Sequence, residues 1–214
     1  MSIPKDDKPF LLPGETLVCF GDSLTQAKNG YISFLQQELE KRSINVINAG
    51  LGGDKTPAAL SRLQQAVIDH QPDAVSIFFG GNDAVIGKGQ WRDEPVVDPV
   101  TFEDNLCWII HLCRLRSEKI RKFSINTLPF RGEGKSYREF GPSAYTPYCQ
   151  AARRAADRMN ARLVPLDTLF ERLWSLHAAE ATEDGLLYTI DGCHMTVQGY
   201  ELIAQAMLKE WNMI

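Results

Sequence analysis

The stretch CFGDSLT, residues 19–25, places an acidic side chain and a hydroxyl directly after a run of apolar residues. A turn or a helix N-cap at Asp22 or Ser23 would explain this pattern without any chemistry. A nucleophile would also explain it, because a serine hydroxyl can attack a carbonyl when a base, an orienting carboxylate and oxyanion donors are supplied. Residues of these types occur later in the chain: Gly52, Gly53, Asn82, Asp191 and His194.

Each of these later residues has a purely structural interpretation when it is taken alone. Gly52 and Gly53 can form a tight turn, and Asn82 can cap or turn the chain after its two preceding glycines. Asp191 can act as a cap, and a histidine such as His194 is more often a hydrogen-bonded surface residue than a base. The joint occurrence of all five favours the chemical interpretation.

Apolar runs alternate with helical patterns along the chain, which predicts an α/β fold. Short apolar runs predict strands at residues 16–20, 44–47, 73–79, 123–128 and 162–166. Apolar residues at helical spacing predict helices around residues 31–39, 60–68, 106–113, 148–159, 169–176 and 200–211. Repeats of this kind pair their strands in parallel through right-handed crossovers. We therefore expect a three-layer α/β/α sandwich with a five-stranded parallel sheet in the flavodoxin-like order 2-1-3-4-5.

The predicted sheet would collect the chemically suggestive residues along one edge. In such a sheet, ligands bind beyond the carboxyl ends of the strands, which lie on the same side. Ser23, Gly53 and Asn82 each come shortly after one of the first three predicted strands. Asp191 and His194 lie beyond the fifth strand and its helix, just before the last helix. We expect all five residues to meet on this rim.

Four segments of the chain resemble the sequence blocks of the SGNH, or GDSL-type, hydrolases. They read GDSL at 21–24, NAGLGGD at 48–54, GGND at 80–83 and DGCH at 191–194. The segments follow one another in the family's usual order and spacing, although the serine does not lie in the G-x-S-x-G elbow of other α/β hydrolases. The fold that this resemblance implies coincides with the fold that the alternation of elements predicts.

The resemblance implies a role for each residue that matches the family's pattern. Ser23 would attack an ester carbonyl, His194 would take its proton and return one to the leaving alcohol, and Asp191 would hold the useful histidine tautomer. The oxyanion would be bound by the backbone N–H groups of Ser23 and Gly53 and by the side-chain amide of Asn82. These residue types suit the chemistry, because neutral histidine is the base nearest neutral pH and glycine lets the backbone approach the carbonyl.

The cysteine at position 193, next to His194, opens an alternative in which a thiol is the nucleophile. Adjacent residues in a turn rarely aim their side chains at each other, so Ser23 is favoured over Cys193. No metal site is expected, because the histidines and cysteines do not occur at ligand spacing on one face. No cofactor is expected either, since the glycines at 50–53 lack the spacing of a nucleotide-binding loop.

The composition indicates an ordinary soluble globular protein. Its 214 residues are 44% hydrophobic and 23% charged, which suits one domain over 1–214 with an N-terminal extension at 1–14. The net charge of −4 gives no general attraction for nucleic acid or an anionic membrane. Residues 1–15, MSIPKDDKPFLLPGE, lack the apolar core of a signal peptide, and no stretch approaches the roughly 20 apolar residues of a membrane span. With cysteines expected to be reduced thiols, these features predict a cytoplasmic protein without membrane insertion.

Substrate choice is expected to lie in the loops after the third and fourth strands, which are polar and charged with a few aromatic residues. The expected substrate contacts are Asp22, Trp91 and Arg92. Such loops fit polar esters better than long acyl chains, so we expect a small-molecule ester with a short acyl group, such as an acetyl ester of a carbohydrate, a class found in this family. Three alternative functions remain open: lysophospholipid or thioester hydrolysis, acyl transfer, and a non-catalytic binding protein on the same fold. Assembly into a homo-oligomer is a separate question that the sequence leaves open.

Overall fold

Five parallel strands form the central sheet of this chain, for which a computed structural model describes residues 8–85, 95–129 and 144–214. The strands are β1 Thr16–Gly21, β2 Asn45–Gly50, β3 Ala74–Phe78, β4 Lys122–Asn126 and β5 Arg162–Val164. Their order is β2-β1-β3-β4-β5, and each neighbouring pair is parallel. The predicted fold class and strand order are confirmed.

Helices connect the strands and cover the two faces of the sheet. They are α1 Ser23–Gln26, α2 Tyr31–Glu40, α3 Thr56–Ala66, α4 Pro99–Arg116, α5 Thr146–Arg158, α6 Leu166–His177 and α7 Val197–Glu210, with short 3₁₀ turns at Ile68–His70 and Ala178–Glu180. α2 and α6 pack against α7, whereas α3 and α5 pack against α4. These two groups lie on opposite faces, because right-handed crossovers on either side of β1 lead the chain to different sides of the sheet.

The inner strands β1 and β3 are apolar because both of their faces are covered by helices. In β1, Leu17, Val18 and Phe20 are fully buried. The ring of Phe20 packs edge-to-face on that of Phe79, with 5.0 Å between the centroids. This continuous core fixes the height at which each strand ends, and hence the level of the loops that follow.

Helix α4 begins earlier than the predicted helix around 106–113. Asp98 is its N-cap, and the Asp98 carboxylate accepts from the backbone N–H groups of Val100 at 3.0 Å and Thr101 at 3.1 Å. Val100 is 66% exposed, but Phe102 is buried and extends the face of Leu106 towards the start of the helix, so the Asp98 cap and not the apolar periodicity marks where α4 begins. The predicted loop at 84–99 therefore ends where α4 begins.

The predicted loops are only partly described. Residues 86–94 of the first loop and 130–143, which include nearly all of the second loop predicted at 129–142, lie outside the described residues.

The predicted N-terminal extension at 1–14 contributes to the core where it is described, from residue 8 onward. Phe10 and Leu11 are buried, and the Phe10 ring stacks on Trp211 with 5.3 Å between the centroids. The backbone N–H of Phe10 donates to the carbonyl of Trp211 at 2.8 Å. The start and the end of the described chain are thus joined beside α7.

The carboxyl ends of β1, β2 and β3 lie level with one another. Gly21 is the register partner of both Gly50 and Phe78, the last residues of the two neighbouring strands. A Cβ at Gly21 would lie 2.0 Å from the Thr25 hydroxyl oxygen, and one at Gly50 would lie 2.3 Å from the backbone nitrogen of Gln26. Only glycine permits this close approach, so α1 sits directly against the two strand ends.

Candidate active site

The loop after β1 carries the cap and the hydroxyl on different residues. Asp22 is the N-cap of α1, and its Oδ1 accepts from the backbone N–H of Leu24 at 3.0 Å. Ser23 is the first residue of α1 and is partly exposed. Both interpretations of GDSL therefore hold, each for a different residue. Asp22 caps the helix, and the side chain of Ser23 faces another segment.

Asp191 builds the turn that presents His194. Its Oδ1 accepts from the backbone N–H groups of Cys193 at 2.8 Å and His194 at 2.7 Å. A bridge between Thr189 and Met195 closes the base of the turn. The same carboxylate binds the imidazole through Oδ2, which lies 2.7 Å from Nδ1 of His194. One aspartate thus sets both the backbone and the ring orientation.

The histidine ring links this turn to the end of β1. Nε2 of His194 lies 3.1 Å from Oγ of Ser23. Partial burial disfavours the charge of Asp191, but hydrogen bonds from the His194 ring and from backbone N–H groups outweigh it and lower the pKa of this carboxyl. An ionised Asp191 accepts a hydrogen bond from Nδ1–H, so the proton stays on Nδ1 and Nε2 is left as the acceptor for the serine hydroxyl. The arrangement can remove a proton from Ser23.

The loop after β2 passes close to Ser23. Gly53 has a φ of 83°, in the region that favours glycine. A Cβ on Gly52 would lie 3.8 Å from the Cβ of Ser23, and the backbone N–H of Gly52 donates to the side-chain oxygen of Gln26 at 2.9 Å. The loop is therefore held against α1, beside the hydroxyl.

The side chain of Asn82, which follows β3, lies in the same place. It is 8% exposed, and its Nδ2 donates to the carbonyl of Asp54 at 3.0 Å and to Oδ2 of Asp22 at 3.3 Å. Asn82 thus joins the loops that follow β1 and β2. The structure brings Ser23, Gly53, Asn82, Asp191 and His194 to one edge of the sheet, as the sequence predicts.

Comparison with known families agrees with this geometry. The family model of the GDSL-like lipase/acylhydrolase family matches residues 19–202. The chain belongs to this family. As a GDSL-family member it is a carboxylic ester hydrolase, which confirms the resemblance and the enzyme class that the sequence predicts.

Two relatives and one solved structure illustrate the similarity of this GDSL-family hydrolase to known proteins. The uncharacterized lipoprotein YqeF of Bacillus subtilis (strain 168) is 27% identical over 222 residues, covering 90% of this chain and 88% of the relative. The acetylxylan esterase of Geobacillus stearothermophilus is 27% identical over 221 residues, covering 92% and 94%. The crystal structure of the acetyl xylan esterase AlAXEase superposes with a TM-score of 0.77 at 25% identity, covering 91% of this chain and 98% of that one.

Asp22 has a different environment from that of a substrate contact. Its side chain is 4% exposed and is bound to Leu24 and Asn82. Burial raises its pKa to about 7, and the charges of Asp83 and Asp54 add to this, whereas the Leu24 N–H and the charge of His194 oppose it. This burial argues against direct contact with a substrate. The other two expected contacts, Trp91 and Arg92, lie outside the described residues.

Cys193 lacks the properties of a nucleophile in this hydrolase. All five cysteines are free. Desolvation, with further contributions from the carboxylates of Asp22 and Asp191, raises the pKa of the Cys193 thiol to about 12. The thiol is therefore protonated at neutral pH, and a protonated thiol reacts poorly. The geometry favours Ser23 over Cys193 as the partner of His194.

Asp83, the last residue of the GGND segment, binds the first residue of α3. Its Oδ1 accepts from the backbone N–H of Thr56 at 2.9 Å and from the Thr56 hydroxyl at 2.6 Å. The carboxyl thereby ties the end of β3 to the start of α3. Burial, partly opposed by the hydrogen bonds from Thr56, raises the pKa of Asp83 to about 6. The sequence signal was local, an aspartate after Asn82, but its partner 27 residues away was not predictable.

Sequence reasoning missed Arg62, a residue on α3 whose guanidinium contacts both strand ends next to the site. A lone arginine in a helix carries no sequence signal for such a role.

Within the described ranges, no three His, Cys, Asp or Glu side chains gather in a way that could hold a metal ion. In the same part of the chain, no helix combines the length and apolar character needed to cross a bilayer.

Proposed function

We propose that this chain hydrolyses short-acyl carboxylic esters through an acyl-enzyme formed on Ser23. The observation that supports this most strongly is the hydrogen-bonded series from Asp191 through His194 to Ser23, with distances of 2.7 Å and 3.1 Å. A nucleophile, a base and a group that orients the base are the parts that serine-based acyl transfer requires.

The first half of the reaction forms the acyl-enzyme. Oγ of Ser23 attacks the carbonyl carbon while its proton passes to Nε2 of His194. The tetrahedral intermediate then breaks the bond to the alcohol oxygen, and His194 gives its proton to the departing alcohol. Asp191 stays ionised and stabilises the imidazolium that forms between these two proton transfers.

The second half of the reaction releases the acid. Water enters the place of the alcohol, and His194 takes one of its protons as the water oxygen attacks the acyl carbon. Collapse of this second intermediate breaks the bond to Oγ of Ser23, which recovers its proton from His194. The products are the carboxylic acid and the free enzyme, so one water is consumed for each ester cleaved.

The proposed oxyanion donors are the backbone N–H groups of Ser23 and Gly53 and the side-chain amide of Asn82. The amide of Asn82 suits this role because it is buried and held from two sides, by Asp54 and Asp22. Its contact with Asp22 is the longer of the two, and we infer that an oxyanion replaces this contact. A neutral amide donor adds no charge that could bind Asp191.

The substrate class that we propose is an acetyl ester of a carbohydrate or of another small alcohol. Similarity to an acetylxylan esterase over 92% of this chain supports this class. The composition of the segments after β3 and β4 supports it as well, since they are mostly polar and charged with a few aromatic residues.

A chain-length series tests this function. Hydrolysis of p-nitrophenyl esters from acetate to palmitate, together with acetate release from acetylated xylooligosaccharides, should be measured on the parent protein and on Ser23→Ala. We expect a steep fall beyond butyrate and loss of both activities in Ser23→Ala. Ser61→Ala is the matched control, since Ser61 is an exposed serine whose hydroxyl donates to its own helix. A preference for long chains would contradict the substrate class, and parent-level activity in Ser23→Ala would contradict the mechanism.

A further inference from the structure

Arg62 on α3 joins three segments that surround the proposed oxyanion donors. Its Nη2 donates to the carbonyl of Gly21 at the end of β1 at 3.1 Å. Its Nη1 donates to the carbonyl of Ala49 near the end of β2 at 2.9 Å, and its Nε donates to Oδ2 of Asp54 at 2.5 Å. One guanidinium therefore connects two adjacent strand ends and the loop beyond the second.

These acceptors stand next to the proposed donors in sequence or in space. Gly21 precedes Ser23 by two residues, and Asp54 directly follows Gly53. The backbone carbonyl of Asp54 accepts from Nδ2 of Asn82 at 3.0 Å. Through Gly21, Arg62 is linked to the backbone that leads to Ser23. Through Asp54, it is linked to Gly53 and to the side chain of Asn82.

We propose that Arg62 is a positioning residue that sets the geometry of the oxyanion hole in the ester hydrolysis described above. This inference depends on the proposed function, because it concerns the same oxyanion. Arg62 itself does not contact the reacting atoms. It acts through the strand end at Gly21 and through Asp54, and small displacements of catalytic groups can lower turnover by about 100-fold.

The chemistry of arginine suits this role better than that of lysine. A guanidinium is always protonated and presents its donors in a rigid planar fork, so it can bind three acceptors in fixed directions. The Arg62 side chain is 20% exposed and its guanidinium carbon lies 4.6 Å from the centroid of the Phe20 ring. The fork is therefore held between a core aromatic ring and the strand ends.

Arg62 also balances a negative charge near the reacting centre. The Asp54 side chain is 9% exposed, and its charge is felt by Asp22, whose pKa it helps to raise. An unpaired carboxylate at this position would repel the oxyanion that develops on the substrate. The ion pair with Arg62 reduces this repulsion as well as fixing the loop.

A double-mutant cycle with Asn82→Ala distinguishes positioning from a general structural role. Arg62→Met keeps an apolar stem over Phe20 and removes all three donors, and Arg62→Lys keeps the charge without the fork. On p-nitrophenyl acetate, we expect Arg62→Met to lower kcat by about 10- to 100-fold with KM changed less than about threefold. With Asn82→Ala already present, removing Arg62 should lower kcat by a smaller factor than in the parent, because residues that act through one site are not additive.

The matched control is Arg153→Met. Arg153 forms a two-pronged ion pair with Asp167, at 2.7 Å and 2.9 Å, beside β5, which is three strands away from β1. We expect kcat within about twofold of the parent in this variant, and thermal unfolding recorded for all variants separates loss of fold from loss of rate. If Arg62→Met does not fold, the same cycle with Arg62→Lys decides, with a smaller loss of kcat that again shrinks in the Asn82→Ala background.

The inference would be overturned by an unchanged kcat in folded Arg62 variants, or by losses that multiply in full with Asn82→Ala. Either result, together with an inactive Ser23→Ala, would leave the proposed function intact. Activity at the parent level in Ser23→Ala would instead remove the proposed function itself.

Discussion

At the residue scale, the function of this chain depends on a division of tasks between neighbours. Asp22 caps α1 and binds Asn82, whereas Ser23 faces the imidazole of His194. Asp191 similarly folds its own turn and orients the ring. Residue types and spacing predicted that these side chains would meet, because each follows a strand or precedes the last helix.

Replacing Asn82 by alanine tests the oxyanion hole at this scale. We expect turnover of p-nitrophenyl acetate to fall by about 100- to 1000-fold, since one buried donor to the developing charge is removed. Steady-state kcat and KM, with circular dichroism as a control for fold, give the measurement. Near-normal turnover would exclude Asn82 from the oxyanion hole.

Other residue-scale features could not be predicted from sequence. The burial of Asp22 arises because α1 lies against strand ends that contain Gly21 and Gly50, which is a property of packing. The contacts of Arg62 join segments 13 and 41 residues away in sequence, and no local pattern carries such information. The sequence therefore identified the residues that could take part in the reaction. It did not identify the residues, such as Arg62, that fix the positions of the reacting groups.

At the scale of elements, the level strand ends position the site. Apolar runs predicted the five strands, and their alternation with helical patterns predicted the strand order. Helix boundaries were less predictable, since α1 has only four residues and the start of α4 is set by the Asp98 cap. The contact between β3 and α3, made by Asp83 and Thr56, appears only in the fold.

The pH dependence of stability tests the burial of Asp83 at this contact. The folded-state pKa of Asp83, about 6, exceeds its ordinary value of 3.8, so the folded protein keeps a proton that the unfolded chain releases. As pH rises from about 4 to about 6, this group should therefore lower the free energy of unfolding, by an amount on the order of 2 to 3 kcal/mol. Above that range its effect should be constant.

Asp83→Asn removes the titration and keeps an oxygen to accept from Thr56. Oδ2 of Asp83 is buried and finds no hydrogen-bond partner among the described residues, so an amide nitrogen there breaks no bond. In urea unfolding at pH 4 to 7, we expect the variant to gain stability relative to the parent as pH rises to about 6. Parallel curves for the two proteins would show that Asp83 does not titrate in this range.

At the scale of the whole molecule, the packing of residues 8–14 joins the start of the described chain to its end. Phe10 stacks on Trp211, while Arg162 donates to the carbonyl of Glu210 at 3.2 Å. Arg162 begins β5, so these contacts lie at the amino ends of the strands, on the edge opposite Ser23. Sequence reasoning treated this segment as an extension, because pairing between distant apolar residues leaves no periodic signal.

Phe10→Ala should therefore destabilise the protein without changing its chemistry. The Phe10 ring is 7% exposed, and truncation of a buried phenylalanine typically costs about 3 to 5 kcal/mol. Chemical unfolding gives this value, and kcat on p-nitrophenyl acetate should stay within about twofold at a temperature where the variant is folded. Leu12→Ala, at a neighbouring residue that is 50% exposed, is the control and should change little. A large loss of kcat in folded Phe10→Ala would contradict the separation of the two edges.

The proposed chemistry depends on Ser23 being a nucleophile that His194 activates. The most direct measurement is the site and rate of covalent labelling by a serine-directed phosphonate, read by peptide mass spectrometry. We predict a single adduct on Ser23, formed at least about 100-fold more slowly in His194→Ala, because general-base catalysis contributes on this scale. An adduct on another residue, or equal labelling of Ser23 in the parent and in His194→Ala, would contradict the claim.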